Sequence, residues 1–347
     1  MPSISVCIAT HERADLLRGT LEALARQHRL PEEIVVSDSS TSPASAEAVR
    51  DFAAGVTAIP IRHVPAERRA LPWQRWWAFA HSRGDIVLFL DDDVKLAPDA
   101  LGVLEEAHLH PRSGSGQRPG GVGFIMTWDD GTQPTRRART LRERWLGISG
   151  VRAARVSPGG LAVSVTGLLA PEPVEVDLLW GGAMSFPRST LERIGRLDAL
   201  VRLYEQGIGR GEDAVLSSRA REFGPLYLIT QPLALHPRTV SGVPTPYAGR
   251  GWLLGLTGTW GRAHTMRWIA SDRRAYPAAW VRVASLEIAR AWTGLVARPM
   301  DRDRWERLSG ACVGVYRTVR HWRDIPTSPG ALPEPSSAAA PIASGVS

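Results

Sequence analysis

The stretch that most constrains this chain is residues 86–90, the apolar run IVLFL, which stops abruptly at three carboxylates, Asp91, Asp92 and Asp93. Five apolar residues in a row, two of them β-branched, read as a strand buried on both faces, the kind found inside an α/β sheet. Like charges crowded at the end of such a strand are costly unless a cation or a ligand neutralises them. In an extended chain residues two apart point the same way, so Asp91 and Asp93 are expected to project together and Asp92 to face elsewhere. Hard oxygen ligands of this kind suit Mg²⁺ or Mn²⁺, which keep waters and bridge to phosphates. A solvated acidic turn leading into the next helix is the plainer alternative.

Strand and helix signals alternate around this element. Ile4, Val6 and Ile8 alternate with Ser5, Cys7 and Ala9, and Leu17, Leu21 and Leu24 follow at helical spacing. Residues 34–36 predict a second strand, 59–64 a weaker third, and 73–80 and 98–109 helices. The pattern predicts an α/β fold with a single mostly parallel sheet flanked by helices. Such sheets gather ligand groups at the carboxyl ends of their strands, so the polar clusters after Ala9, Val36 and Leu90 are expected to meet in one crevice. Further on, 122–128 and 174–186 read as strands, 189–194 and 214–223 as helices, and 226–229 and 233–235 as short strands. Residues 111–121 read as a Gly/Ser/Pro loop, and 133–155 are basic and without a clear period. The expected organisation is a catalytic domain over 1–245, a Trp- and Arg-rich helical extension over 246–325, and a disordered Pro/Ser/Ala tail over 326–347.

An apolar share of 44% against 22% charged residues supports a buried core and excludes global disorder. Two cysteines, Cys7 and Cys312, exclude a disulfide framework and a Cys-rich zinc site. The chain opens straight into a strand pattern and has no apolar run of about 20 residues, so a cytoplasmic location is expected. The net charge of +7 is unevenly placed: residues 248–325 carry 14 Arg against six acidic side chains. Lys95 is the single lysine, so arginine reads as a habit of composition, and with no nucleic-acid motif present a nucleic-acid partner is not expected.

Four further sites carry chemistry. Asp38, in VVSDSS, could accept hydrogen bonds from a nucleobase imide or a ribose hydroxyl, or could simply form an Asx-type turn. Glu212 and Asp213 follow Gly209 and Gly211 at an apparent helix start, where carboxylates serve either catalysis or capping. His236 follows a short strand and would complete a metal site that otherwise has two carboxylates. The pair Gly181–Gly182 allows close backbone approach.

In this order and spacing the chain resembles the family-two glycosyltransferases with a GT-A fold. SVCIATHER resembles the opening strand and donor-base loop, EIVVSDSS the segment that grips the base, and RGDIVLFLDDDV the metal-binding strand. WGGAMSFPRSTLERIGRLD followed by GEDAVLSSRA resembles the acceptor-side stretch, and LALHPRT the late histidine. The resemblance spans residues 3–238. It implies a nucleotide-diphosphate-sugar donor, a UDP-sugar first among them, a hydroxyl-bearing acceptor, inversion, and a role in glycan, glycolipid or glycosylated-metabolite synthesis. It implies Mn²⁺ or Mg²⁺ on Asp91, Asp93 and His236. Thr10, Glu12 and Asp38 would line the nucleoside pocket, with Arg75, Asp91 and Asp92 toward the diphosphate and Gly181 and Gly182 against the sugar. Asp213 would be the base, with Glu212 the fallback.

Three other readings fit less of the sequence. Phosphatases of the haloacid dehalogenase type want a small hydroxyl or branched residue where Lys95 stands. A sugar-1-phosphate nucleotidyltransferase wants a Gly-rich loop after the first strand, which ATHERADLL lacks. A catalytically silent saccharide-binding protein would not need the intact acidic set. In the extension, Val281, Ala284, Ile288, Ala291 and Leu295 share one helical face, and Trp305, Leu308, Cys312, Val315, Val319 and Trp322 another. These faces predict packing on the catalytic domain, as part of an acceptor site; the basic, Trp-rich surface also suits peripheral contact with the cytoplasmic face of an anionic membrane.

Overall fold

Four parallel strands form the first half of the sheet in the order β3-β2-β1-β4: β1 (Ile4–Thr10), β2 (Glu33–Asp38), β3 (Ile61–Pro65) and β4 (Ile86–Asp91). The computed structural model describes residues 1–110, 117–128, 132, 140–149, 151–163, 173–237 and 250–330. Strand alternation divides the core into two layers. Ile4, Val6 and Ile8 join Ile86, Leu88 and Leu90 beneath Leu17, Leu21 and Leu24 of helix α1 (Ala14–Ala25). Helix α2 (Ala44–Gly55) adds Ala48 and Val49 to this layer. Cys7, Val87 and Phe89 face the other way, against Ala78 and Phe79 of helix α3 (Leu71–Ala80). Because the strands run in parallel register, Thr10 lies beside Asp38 and Ala9 beside Asp91. The polar ends of β1, β2 and β4 therefore share one edge.

Past β4 the sheet changes character. Next come β5 (Lys95–Leu96), helix α4 (Ala100–Leu109), β6 (Gly121–Trp128), helix α5 (Thr140–Leu146) and β7 (Val174–Val176). They are followed by β8 (Ala183–Pro187), helices α6 (Arg188–Ile194), α7 (Asp198–Glu205) and α8 (Glu212–Ala220), and β9 (Leu226–His236). The order continues β4-β8-β6-β9-β5, with β8 antiparallel to both neighbours and β7 on β9. The sheet is thus mixed: the expected parallel arrangement holds as far as β4 and stops where β8 is inserted antiparallel. Residues 174–186 are not one strand. A turn over 177–182 separates β7 from β8, held by the Asp177 carboxylate, which receives Arg155 (2.9 Å) and the Val156 amide (3.0 Å). Conversely, the two short strands expected over 226–229 and 233–235 are one, β9, which the β6 register shift between Phe124 and Met126 accommodates. Residues 111–116 of the expected Gly/Ser/Pro loop lie outside the described residues.

The C-terminal region is helical: α9 (Gly251–Leu256), a π-helical turn (Thr257–Gly261), α10 (Arg262–Ile269), α11 (Ala275–Ala297) and α12 (Arg302–Arg320). It packs on the sheet domain, Trp252, Leu253 and Val313 lying against the core layer of α3 and α8. A third cluster, with Met266, Trp280 and Val283, incorporates Leu146 and Ile148 from the basic stretch, together with Leu161. The face buried by α12 is not the apolar stripe. Gly310, Ala311, Gly314 and Thr318 are buried, whereas Trp305 and Val319 are 53% and 65% exposed. On α11, Ala284, Ala291 and Leu295 are buried as expected, but Val281 lies at the edge, 56% exposed. The cause is close backbone approach: a Cβ on Gly310 would sit 2.2 Å from the Trp252 carbonyl oxygen, and one on Gly255 2.2 Å from that of Arg307. Trp322 is engaged, its ring stacked on Tyr276 at 4.9 Å. Residues 326–330 of the expected tail are held: Pro326 O accepts from Trp268 Nε1 (2.9 Å) and Pro329 O from the Ala199 amide (2.9 Å). Residues 331–347 lie outside the described part. Among the described residues no helix is long and apolar enough to cross a membrane.

Gly310→Ala is expected to destabilise the fold by about 1–3 kcal/mol, the usual cost of overpacking, because the atom it meets is backbone and cannot rotate away. A urea titration checks this; an unchanged midpoint would mean that α9 and α12 separate freely.

Candidate active site

β4 ends at Asp91, and the chain turns at Asp92 and Asp93. Strand alternation ends there too, so the expected partnership of Asp91 with Asp93 is replaced by one between Asp92 and Asp93. A single guanidinium, that of Arg13, bridges them, with Nη1 2.8 Å from Asp92 Oδ1 and Nη2 on Asp93 Oδ2. Asp92 is 3% exposed and fully engaged, its Oδ2 accepting from the Thr10 hydroxyl (2.7 Å) and its carbonyl from Thr20 (2.8 Å). Burial pushes its carboxyl up to about 7, against the pull of Arg13 and Thr10. Asp92 is thus the pin that joins the ends of β1 and β4.

Asp93 differs from its neighbour. Its Oδ1 is buried without a hydrogen-bond partner and lies 3.5 Å from His236 Nε2 at the end of β9. His236 is oriented by its other nitrogen, Nδ1, 2.7 Å from Pro237 O, and by an edge-on contact with Trp128. An orphaned carboxylate oxygen facing an imidazole fits a divalent ion that takes its remaining ligands from diphosphate and water. Among the described residues no group of three or more His, Cys, Asp or Glu side chains is placed to hold a metal by itself.

Asp91 belongs to a second constellation, centred on Arg75. This side chain is 4% exposed; Nη2 donates to Asp91 Oδ1 (2.7 Å) and Gly181 O (2.6 Å), and Nη1 contacts Glu212 Oε1. The Gly181–Gly182 pair threads between: Gly182 O accepts from the Asp91 amide (2.9 Å). A Cβ on Gly181 would lie 3.4 Å from Asp213 Cβ and 3.5 Å from Arg75 Nη1. Gly211, in the left-handed region at φ 72°, starts α8 and turns Glu212 and Asp213 into the site. Glu212 is spent on Arg75. Asp213 lines a cavity of about 460 Å³ shared with Leu179, Trp180, Arg262 and Met266. Its Oδ1 receives the Ala214 amide at 2.8 Å. Burial raises its carboxyl above the ordinary carboxylate range, the Ala214 amide and Arg75 opposing.

The proposed base-binding side is bound up in local contacts. Asp38 Oδ1 accepts from the Ser40 amide (2.8 Å), and Oδ2 pairs with His63 Nε2 (2.9 Å), so the Asx-type turn is present. Burial would raise the Asp38 carboxyl, but the bonds from His63 and Ser40 hold it below its ordinary value. Glu12 sits at φ 54° and turns its carboxylate to the Thr41 amide (2.6 Å) and hydroxyl (2.8 Å). Gln74 ties the ends of β1 and β2 together, donating to Thr10 O (2.8 Å) and Ser37 O (3.2 Å).

Residues 5–153 match the family model of glycosyl transferase family 2. The first part of this chain is a family 2 glycosyl transferase domain. The mannosyltransferase PcManGT from Pyrobaculum calidifontis, in complex with GDP-Man and Mn²⁺, has a similar fold. The match has TM-score 0.50 at 18% identity over 92% of this chain and 83% of that one. GalNAc-T7 with UDP, GalNAc and Mn²⁺ matches with TM-score 0.51 at 15% identity, over 81% of this chain. It covers 55% of GalNAc-T7, so this chain spans about half the length of that protein. A comparison with curated proteins finds no match. The transferase thus has the GT-A fold, one mixed sheet flanked by helices, with helices added at its C-terminal end. The matched segment contains Asp38, Arg75 and Asp91–Asp93; Asp213, His236 and the cavity lie beyond it.

Two arginines of the transferase site escaped sequence reasoning: Arg13, directly after the β1 end, and Arg262, at the start of α10. Arg75→Met leaves Glu212 buried without its partner. Stability is expected to fall by about 3–5 kcal/mol, the scale for breaking a buried ion pair from one side. Denaturant unfolding measures it, and a variant as stable as the parent would show that the Arg75 pairs do not hold the site together.

Proposed function

We propose that this transferase moves a sugar from a nucleoside-diphosphate sugar, a UDP-sugar in the first instance, to a hydroxyl of an acceptor, inverting the anomeric carbon. The observation that carries this reading is the position of Asp213: a carboxylate of raised pKa lining a cavity, one glycine away from the Arg75–Asp91 pair at the acidic strand end. The cavity receives the acceptor. Asp213 takes the proton of the acceptor hydroxyl as its oxygen bonds to the anomeric carbon. The bond from that carbon to the diphosphate breaks on the opposite face, and its electron pair leaves with the nucleoside diphosphate. One displacement gives inversion.

Asp93 and His236, with Asp91 beside them, would hold Mn²⁺ or Mg²⁺, which when bound neutralises charge on a leaving diphosphate. Arg13 fixes the Asp92–Asp93 turn, and Arg75 fixes Asp91 relative to Gly181 and so relative to Asp213. The contacts of Asp38 with Ser40 and His63 place its carboxylate beside the β1–β2 edge, where a nucleoside would lie. Glu212 is unsuited to be the base because its carboxylate is paired with Arg75.

Asp213→Asn keeps the shape and removes the base, so transfer is expected to fall by roughly 10²–10⁴-fold while nucleoside-diphosphate affinity stays constant. The pH profile gives a second check. The base acts when ionised, and burial raises its pKa, so the rate should drop with falling pH through a midpoint above the unperturbed value of about 4. The residual rate of Asp213→Asn should lack that limb. Near-normal turnover in Asp213→Asn, with Glu212→Gln folded but inactive, would move the base to Glu212.

A further inference from the structure

The lining of the cavity shared by Asp213 includes two arginines for which the displacement itself has no use. Arg262, the first residue of α10, and Arg210, just before the Gly211 cap, both line it. Among the described residues neither guanidinium makes a hydrogen bond or an ion pair. Of the charges acting on Arg262, that of Arg210 is the strongest; Glu287 opposes it, and Arg142 and Arg290 add to it. Glu287 is already taken, by Arg290 at 3.0 Å and Arg307 at 3.6 Å. Burial first, then Arg210, hold the Arg262 guanidinium down to about 10, still charged at neutral pH. Arg262 is half-buried, and a charge partly withdrawn from water and left without a protein partner gains from a ligand that brings the counter-charge. Guanidinium forks match the oxygens of phosphate and carboxylate. Much of the remaining lining is apolar, with Leu161, Leu178, Leu179, Trp180 and Met266.

On the transferase reading above, we infer that the acceptor is an anionic amphiphile. Its phosphate or carboxylate is held by Arg262 and Arg210, its apolar portion lies along Leu179, Trp180 and Met266, and its reacting hydroxyl is at Asp213. The volume of about 460 Å³ fits a small molecule or one end of a longer one. The anion is not the donor's diphosphate, because Asp38, Asp91 and Asp93 do not line this cavity.

The test is calorimetric titration of the full chain with octyl phosphate, octanoate, 1-octanol and inorganic phosphate, alongside UDP and GDP. At least one octyl anion is expected to bind ten-fold or more tightly than both 1-octanol and inorganic phosphate. Arg262→Gln should weaken that binding at least ten-fold and leave nucleoside-diphosphate affinity unchanged. Arg210 is exposed, so Arg210→Gln supplies a second variant whose folding is not in question, with the same loss expected. Equal binding of 1-octanol would overturn the anion requirement, and equal binding of inorganic phosphate would overturn the amphiphile. Loss of UDP or GDP affinity in Arg262→Gln would reassign the arginine to the donor. A wild-type chain that takes the octyl anion but neither binds nor hydrolyses any nucleotide sugar would keep the anion site and sink the transferase reading. Donor hydrolysis with no octyl-anion binding would do the reverse.

Discussion

The buried guanidinium of Arg75 is the interaction on which the arrangement of the site depends. It lies on α3, behind the edge where β1, β2 and β4 end, and reaches three partners at once: Asp91 on β4, the Gly181 carbonyl before β8, and Glu212 at the start of α8. These belong to segments far apart in sequence. One charge holds the acidic strand end against the Gly181–Gly182 turn and the start of α8, so their separation is set by a single planar group. Paired carboxylates also relieve the desolvation that an arginine 4% exposed would otherwise suffer.

Environment then sorts the acidic residues into roles. Asp92 has every carboxylate oxygen satisfied and is structural. Glu212 is neutralised by Arg75. Asp93 retains one oxygen with no hydrogen bond, and Asp213 is raised by burial and open to a cavity. Carboxylates close together in space thereby acquire different protonation and pairing states.

Much of this fold was legible because its signals are local. Alternation in β1 and the continuous run of β4 identify strands, and parallel register follows from the helices between them. The insertion of antiparallel β8 was not legible, because the turn over 177–182 is held by Asp177 reaching Arg155 and Val156, contacts made through tertiary structure. The α12 surface misled for a definite reason: glycine and alanine bury a helix by letting backbones approach, and they leave no hydrophobic period to read. At the site, the acidic residues stood out, and Arg75 and His236 with them, but the other arginines did not. Arginine is so frequent in this chain that Arg13 and Arg262 carry no signal until their surroundings are seen. Strand alternation likewise stops short of Asp93, because β4 ends at Asp91 and the chain turns there.

The C-terminal helices contribute to the cavity that Asp213 lines, α10 supplying Arg262, Thr265, Met266 and Ile269. In the proposed single displacement, a hydroxyl held in that cavity loses its proton to Asp213. The most direct measurement of it is the anomeric configuration of the product, read from the proton coupling of its anomeric signal by NMR in the first minutes of reaction with an α-linked UDP-sugar. A β-linked product is predicted. An α-linked product would contradict the account, because retention requires two displacements or a departure and return on the same face.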